Sequence, residues 1–416
     1  MFGAAVLAVY WVACRQFDVP TAWFAMAAFL ASPTALSLGC LVRVDTMLGI
    51  WLILFLSHLS MLPAQPSFRH GLHGGLYVAL ALLTKTSAAM FVTLMVLGVF
   101  GSTVRLRNSP WKVLCTEGAG IAVAAIALAG PWYLMHFTEA WAHSAHTTHF
   151  HTLLGAAAPS LKFKVAVTLL MVFGLLSIVL IPFLTPTGCR WMCGPSAGSF
   201  VRSNFVVGTV VAMIPSALFF VSQSYYEPKY LTPLVPCWSV LLGAALVQLV
   251  RNAGVVRRLL IGALVTCSLL ISFALLYGEE RIDTDWTIVA DLNELAADGR
   301  PATIAVVGNM PYLDWLKASA MNEFTTHPAN RVIVDASSHQ PMMEGLENLE
   351  HADYVIALPM LDPLWYRAMP LVNDAYEERI TEIGQHPEKY QYLGPLGAQH
   401  TADLYRVLHS TSLKRS

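Results

Sequence analysis

Long apolar runs separated by short polar stretches fill about the first two thirds of the chain. A membrane helix needs about 20 mostly apolar residues, and several of these runs approach that length. After residue 278 the pattern changes to short apolar runs between polar and charged residues, which is typical of strands alternating with helices. We therefore predict a transmembrane module at 1–278 and a small soluble α/β domain at 279–416. The ten apolar segments lie at 1–14, 21–41, 46–62, 71–83, 86–101, 113–134, 165–184, 204–221, 231–250 and 258–277.

The C-terminal domain shows its own alternation. Strands are predicted at 303–308, 331–335, 353–359 and 403–408, and helical spacing at 311–321 and 341–350. No glycine-rich phosphate loop follows the first strand, so this domain by itself indicates no chemistry.

Composition supports the membrane class. The chain is 56% hydrophobic and 12% charged, whereas soluble domains average roughly 25% charged residues. The net charge of −1 gives no field that would favour a nucleic-acid partner. The run from Met1 to Cys14 starts without the basic lead-in of a signal peptide and ends before a full span, so we expect a first span and an outer loop upstream of Met1.

The run 71–101 is interrupted by Thr84-Lys85-Thr86 and could form one long helix or two short ones. Two helices place ten basic residues on one side of the membrane and five on the other, and leave no lysine buried in lipid. We therefore predict two spans. The outer face then carries Arg43, Asp45, Lys85, the histidine-rich loop 136–151, the segment 225–230 and everything after 278.

Charged residues at the apolar boundaries carry the functional signal. Arg43 and Asp45 lie between two apolar segments, and Lys85 lies at the tip of a tight hairpin. Each could be a snorkelling charge that orients a helix end. Three on one predicted face favour a site that holds an anion against the membrane, such as a lipid phosphate. Asp45 could cap the following helix or bind a ligand, but we favour it as the partner of Arg43.

Four motifs occur in an order that resembles the protein O-mannosyltransferase superfamily of GT-C glycosyltransferases, which includes the aminoarabinose transferases of lipid A. They are VRVDTML, GGLYVALALLTKTSAAM, GPWYLMHF and YYEPKYLTPLVP, and the resemblance covers about residues 1–250. The sequence departs from the family where Thr86-Ser87 replaces Gly-Pro, and where only one residue separates Arg43 from Asp45.

The resemblance implies an inverting transfer of a sugar from a polyprenyl-phosphate donor to an envelope lipid, glycan or protein acceptor. The reaction would take place on the extracytoplasmic face of a bacterial inner membrane. Arg43 and Lys85 would hold the donor phosphate, Tyr230 would donate a further hydrogen bond, and Lys229 would stand in for the family's arginine. Asp45 would support this group.

The resemblance does not supply a catalytic residue. The family's general-base aspartate lies in the first outer loop, so we expect it upstream of Met1. The chain of 416 residues is therefore expected to bind the donor without transferring the sugar.

The loop after 136 contains a second candidate. Glu139, His143 and His146 fall on one helical face, and their side chains suit zinc or manganese. The alternative is an amphipathic helix on the outer surface, with histidines among the lipid headgroups. No cofactor other than this possible divalent metal is indicated.

The competing functional classes are a transporter or flippase of a lipid-linked sugar and a donor-binding relative without catalysis. Transporters usually contain internal repeats and place charge near the midplane of the membrane. This chain shows no such repeat and clusters its charges at one face, which favours a transferase.

Overall fold

The structure is a computed structural model. It describes residues 1–35, 44–62, 65–107, 111–136, 161–184, 203–223, 228–251, 253–278, 301–308, 331–336, 342–358, 370–396 and 402–408. The chain divides into two compact units. The described residues up to 278 belong to the first unit and those from 301 onward to the second.

The first unit is helical. Its α-helices are α1 (Phe2–Gln16), α2 (Val19–Leu30), α3 (Val44–Ser60), α4 (Phe68–Thr84), α5 (Ala88–Arg107), α6 (Trp111–Met135), α7 (Leu161–Val167), α8 (Asn204–Ser222), α9 (Val235–Arg251) and α10 (Val255–Gly278). A π-helical segment (Thr168–Phe173) and a 3-10 segment (Leu175–Leu184) follow α7, and a second 3-10 segment (Pro228–Leu234) leads into α9.

Five described helical stretches are long and apolar enough to cross a membrane: Ala88–Arg105, Trp111–Met135, Asn204–Ser222, Tyr230–Arg251 and Val255–Ala274. Three shorter helices are also apolar, namely α1, α2 and α3. Within the predicted segment 21–41, α2 ends at Leu30, residues 33–35 are helical again, and residues 36–41 lie outside the described ranges.

Local sequence explains where two helices begin. The Asp18 carboxylate accepts a hydrogen bond from the Thr21 amide at 2.8 Å, and Pro20 occupies the first turn of α2. The Ser67 hydroxyl accepts from the His70 amide at 3.2 Å at the start of α4. Both side chains satisfy amides that have no partner inside the helix.

The run 71–101 forms two helices, as predicted. Helix α4 ends at Thr84 and α5 begins at Ala88, so three residues form the connection. The Ala88 amide donates to the Lys85 carbonyl at 3.0 Å and the Ala89 amide to Thr86 at 3.1 Å. Lys85 itself has an extended backbone, which ends α4.

Side-chain contacts show which helix ends lie together at each of the two ends of the helical unit. At one end, Lys85 after α4 contacts Asp45 at the start of α3. Tyr133, near the end of α6, donates a hydrogen bond to the Leu82 carbonyl in the last turn of α4. We call this end the Lys85 face.

The opposite end is defined by a second set of contacts, and we call it the Glu117 face. His58, near the end of α3, contacts the His70 carbonyl at 2.9 Å, and the His70 ring contacts Glu117 near the start of α6 at 2.7 Å. Gln16, at the end of α1, donates to the Ser57 carbonyl at 2.8 Å. Helix α3 covers about 20 Å between the two faces.

The remaining helices follow the same alternation. Asp18, just after α1, pairs with Arg251 at the end of α9, which places the end of α9 at the Glu117 face. Ser272 in α10 donates to the Ala31 carbonyl beyond the end of α2 at 2.7 Å. Helix α10 therefore runs towards the Lys85 face, in agreement with the predicted alternation.

Helix α9 lies at the centre of the bundle. Of its membrane-length stretch, 89% is buried, against 17% for α10, so α10 lies at the periphery. A methyl group on Gly243 would come within 2.7 Å of the Thr21 carbonyl oxygen and 2.5 Å of the Ala25 amide nitrogen. Only glycine permits this approach between α9 and α2.

The predicted apolar segment 165–184 is not one regular helix. Helix α7 passes into the π-helical segment, and Gly174 then interrupts the chain with a φ of 68°. A positive φ is readily adopted by glycine and cannot continue a right-handed helix. The Trp238 indole of α9 donates to the Ser177 hydroxyl at 3.0 Å, which attaches the 3-10 segment to the central helix.

The second unit contains a five-stranded sheet. Its strands are β1 (Ala302–Val307), β2 (Arg331–Asp335), β3 (Tyr354–Ala357), β4 (Tyr390–Leu396) and β5 (Ala402–Val407), in the spatial order β2-β1-β3-β5-β4. Strand β1 is parallel to β2 and β3, and β5 is antiparallel to β3 and β4. Helices α11 (Met342–His351) and α12 (Pro370–Gln385) complete the described part of this unit.

Four of the strands and α11 agree with the sequence prediction, whereas β4 and α12 do not appear in it. Strand β4 contains Gly394 and Pro395 and a register shift at Tyr392/Gly394, features that obscure strand periodicity. Helix α12 buries Arg379, whose guanidinium donates to the Ala336 carbonyl at 2.8 Å. Because arginine is a charged residue, its burial is not visible in the pattern of hydrophobic residues from which helices are predicted. The helix predicted at 311–321 lies outside the described residues.

Candidate functional site

An ion pair at the Lys85 face forms the centre of the candidate site. The Lys85 ammonium donates to an Asp45 carboxylate oxygen at 2.7 Å. The Asp45 side chain is 7% exposed, and the Lys85 side chain is 31% exposed. The pair therefore has a buried acidic side and an accessible basic side.

The pair follows from how the two helices are placed. Asp45 lies in the first turn of α3, where a negative charge interacts favourably with the helix dipole. Lys85 follows the last residue of α4, in the connection between α4 and α5. Its ammonium therefore lies next to the first turn of α3. A buried carboxylate needs such a partner, because removing an ion from water costs several kcal/mol unless an opposite charge compensates it.

The sequence predicts Arg43 as the partner of Asp45. Among the described residues, Asp45 pairs with Lys85, which is 40 positions away in sequence. Arg43 lies outside the described residues, so its predicted role stays a prediction.

The ammonium retains the ability to bind an anion. A lysine carries three N–H donors, and one of them is used on Asp45. The remaining donors and the exposed side of the group suit a phosphate. Asp45 fixes the position of the Lys85 ammonium before the ligand binds. The lysine side chain therefore loses less conformational entropy on binding.

Tyr230 lies in the 3-10 segment that precedes α9. Its ring stacks on Phe220 at a centroid distance of 5.2 Å and an interplanar angle of 19°. The same segment packs against α3, where a methyl group on Gly49 would come within 3.2 Å of the Pro233 carbonyl. The side chain of Lys229 lies outside what the structure describes.

Tyr133 is a residue of this site to which the sequence motifs assigned no role. Its hydroxyl donates to the Leu82 carbonyl at 2.8 Å. Leu82 is in the last turn of α4, where carbonyls have no partner within the helix. Tyr133 therefore holds the helix end that carries Lys85. The tyrosine belongs to the motif GPWYLMHF, and this motif is the feature of the sequence that could have indicated a role for it.

The metal candidates Glu139, His143 and His146 lie outside the described residues. Among the residues that the structure describes, no group of three His, Cys, Asp or Glu side chains could hold a metal ion.

A second polar cluster lies at the opposite, Glu117 face. The rings of His58 and His70 stack at 3.9 Å, and Glu117 is 1% exposed and contacts His70. Glycines on α4 and α6 allow this contact, since a methyl group on Gly71 would come within 2.4 Å of the Glu117 carbonyl. The cluster joins α3, α4 and α6, and it is separated from Lys85 by the length of α4.

No protein-family model matches the chain, and no curated protein matches its sequence. Solved structures do match it. ArnT from Cupriavidus metallidurans bound to undecaprenyl phosphate matches over 98% of this chain and 83% of its own, with a TM-score of 0.56 and 16% identity. The arabinofuranosyltransferase AftD from Mycobacteria matches over 98% of this chain, with a TM-score of 0.50 and 15% identity. The match covers 33% of AftD.

Both of these proteins are GT-C glycosyltransferases. Sequence identities this low show a shared fold. The chain is thus an integral membrane protein with the fold of GT-C glycosyltransferases, as the order of its four motifs predicted. Among solved structures, it is similar to the aminoarabinose transferase ArnT over nearly its whole length.

Proposed function

We propose that this protein is a membrane glycosyltransferase that uses a polyprenyl-phosphate sugar as its donor. The observation that carries the proposal is the accessible Lys85 ammonium, held by the buried Asp45 at one face of a GT-C fold. An ammonium fixed in this way stabilises the negative charge on a phosphate leaving group. ArnT, which has the same fold, was solved with undecaprenyl phosphate bound.

The Lys85 face is proposed to be extracytoplasmic. At described helix ends, seven basic residues lie on the Glu117 face and three on the Lys85 face, and basic residues favour the cytoplasm. The seven are Arg15, Arg69, Arg105, Lys112, Arg251, Arg257 and Arg258, and the three are Lys85, Lys162 and Lys164. Since α10 runs towards the Lys85 face, residues 279–416 would form an extracytoplasmic α/β domain on a bacterial inner membrane.

In the proposed reaction, an acceptor hydroxyl attacks the anomeric carbon while a general base takes up its proton. The bond between that carbon and the phosphate oxygen breaks with inversion, and polyprenyl phosphate leaves. Lys85 holds the departing phosphate, Tyr230 donates a hydrogen bond to it, and Arg43 and Lys229 add positive charge. The acceptor would be an envelope lipid, glycan or protein. Glu139, His143 and His146 are the residues that could hold a divalent metal if the reaction uses one.

A test compares binding and transfer in one preparation. The full chain in lipid nanodiscs would be given undecaprenyl phosphate in a binding assay and radiolabelled undecaprenyl-phosphate pentose or hexose in a transfer assay. We expect saturable binding of undecaprenyl phosphate. Release of undecaprenyl phosphate with a suitable envelope acceptor would show that the chain also transfers the sugar, against the expectation that its general base is missing. Lys85→Ala should weaken both, while Lys162→Ala, which removes an exposed lysine at the same face, should weaken neither.

The competing classes give different results in the same preparation. Binding without release in any acceptor extract would indicate a donor-binding protein without catalysis. Movement of the intact labelled donor across a vesicle membrane would indicate a flippase. A chain with no affinity for undecaprenyl phosphate would contradict the proposal itself.

A further inference from the structure

A small cavity beside Asp45 has a lining of mixed polarity. Its polar residues are Asp45 and Thr46 of α3 and Thr232 of the 3-10 segment, and its other lining residues are Ala5, Phe29, Ala35, Gly49 and Pro236. Its volume is about 10 Å³, which is room for about one water molecule.

Thr232 has an unsatisfied hydroxyl at this cavity. The residue is 5% exposed, and its hydroxyl oxygen is buried without a hydrogen-bond partner among the residues that the structure describes. A buried hydroxyl left without a partner is costly, and native structures usually supply a partner from protein or ordered water. Burial, unmet hydrogen-bonding capacity and room for one molecule therefore occur together at Thr232.

Asp45 offers the complementary acceptor. A carboxylate has about four acceptor positions, and the Asp45 side chain directs one oxygen to Lys85 at 2.7 Å while lining the cavity. Thr46, whose side chain carries a hydroxyl, also lines the cavity. These two to three partners meet the requirement of an internal water for two to four hydrogen bonds.

We propose that this cavity holds one ordered water that accepts from the Thr232 hydroxyl and donates to the Asp45 carboxylate. The water then connects the segment that carries Tyr230 to the Asp45–Lys85 pair. Thr232 becomes a positioning residue, because it acts on Lys85 through the water and Asp45. This functional consequence rests on the donor-phosphate role proposed above, whereas the water site itself does not.

The test uses Thr232→Val, which keeps the shape of the side chain and removes the hydroxyl. If a water bridges Thr232 and Asp45, the valine variant loses a hydrogen bond and its melting temperature in nanodiscs falls. Its affinity for undecaprenyl phosphate should fall about two- to tenfold, the equivalent of one ordinary hydrogen bond. Thr232→Ser, which restores the hydroxyl, should recover most of the affinity.

Ser216 provides a matched control. Its hydroxyl is also buried without a hydrogen-bond partner in the described part of the chain, but Ser216 lies on α8 and does not line this cavity. Ser216→Ala should therefore leave the melting temperature equal or higher and the affinity unchanged. Density for a water between Thr232 and Asp45 in a high-resolution experimental structure would be the direct observation.

Two results would overturn the inference. A valine variant at least as stable as the native protein would show that the Thr232 hydroxyl has no partner to lose. A dry cavity at a resolution that shows other internal waters would show the same. If the native protein binds no undecaprenyl phosphate, the melting temperatures still test the water site, so the two proposals fail separately.

Discussion

Removing the Lys85 ammonium should affect donor binding and stability by different routes. With Lys85→Ala, we expect affinity for a polyprenyl phosphate to fall about 10- to 150-fold. A hydrogen bond to a charged group contributes about 1.5–3 kcal/mol, and 1.4 kcal/mol corresponds to a factor of ten. The exposed side of Lys85 makes the group available for that bond.

The same change leaves Asp45 without its described partner. Breaking a fully buried ion pair costs about 3–5 kcal/mol, because one charge stays uncompensated. Asp45 is 7% exposed but Lys85 is 31% exposed, so water reaches part of the site. We therefore expect a smaller loss of unfolding free energy, about 1–3 kcal/mol, which is the range for an unsatisfied buried group.

A double variant separates these effects. In Lys85→Ala/Asp45→Asn the uncompensated charge is removed, so stability should rise towards that of the native protein. Donor affinity should stay low, because no ammonium is restored. The pattern of recovered stability with lost binding is the signature of a lysine that contacts the ligand.

The assay measures binding of undecaprenyl phosphate and the melting temperature on the same nanodisc samples of all three variants. Lys162→Ala serves as the control for general loss of positive charge at this face. If the double variant binds as tightly as the native protein, Lys85 acts only as the counter-ion of Asp45. The assignment of the donor-phosphate site would then be wrong.

Three further predictions concern topology and packing. A reporter that is active only outside the cytoplasm, fused after Ser416, should be active, and an inactive fusion would contradict the assigned orientation. Tyr133→Phe should lower unfolding free energy by about 0.5–1.5 kcal/mol in denaturation measurements, since the Leu82 carbonyl loses its donor. Gly120→Ala should cost about 1–3 kcal/mol by the same measurement, because the new methyl group would lie 2.6 Å from a carbonyl oxygen of α4. Gly118→Ala is its control, because there the methyl group meets only an ordinary contact at 3.6 Å.

The sequence predicts the helices and their direction because both depend on local pattern. Apolar length indicates the segments, and the interruption at Lys85 divides α4 from α5 as expected. The bias of basic residues predicts the alternation of the helix ends, and contacts such as Ser272 with Ala31 agree with it. The short strands β1, β2, β3 and β5 follow for the same reason, since each contains a short apolar run or alternates buried and exposed residues.

Elements held by single polar residues escape this kind of prediction. Helix α12 buries Arg379 together with Ile383, and β4 is an edge strand of the described sheet that contains Gly394 and Pro395. The irregular segment around Gly174 reads as one apolar span, because nothing in its hydrophobicity marks the positive φ. Hydrophobic periodicity indicates which apolar residues are buried. It does not indicate a buried arginine, an interrupted edge strand or a positive φ.

The candidate site is predicted from the sequence only in part. Lys85 and Asp45 stand out in the sequence because each is a charged residue at the end of an apolar run, whereas Tyr133 lies inside the predicted apolar segment 113–134. Their partners do not stand out, because the Asp45–Lys85 and Tyr133–Leu82 contacts join residues 40 and 51 positions apart. In an apolar bundle every such buried group needs a partner, so the helices can pack only in arrangements that supply one. The polar residues that mark the site thus also align the helix ends that form it.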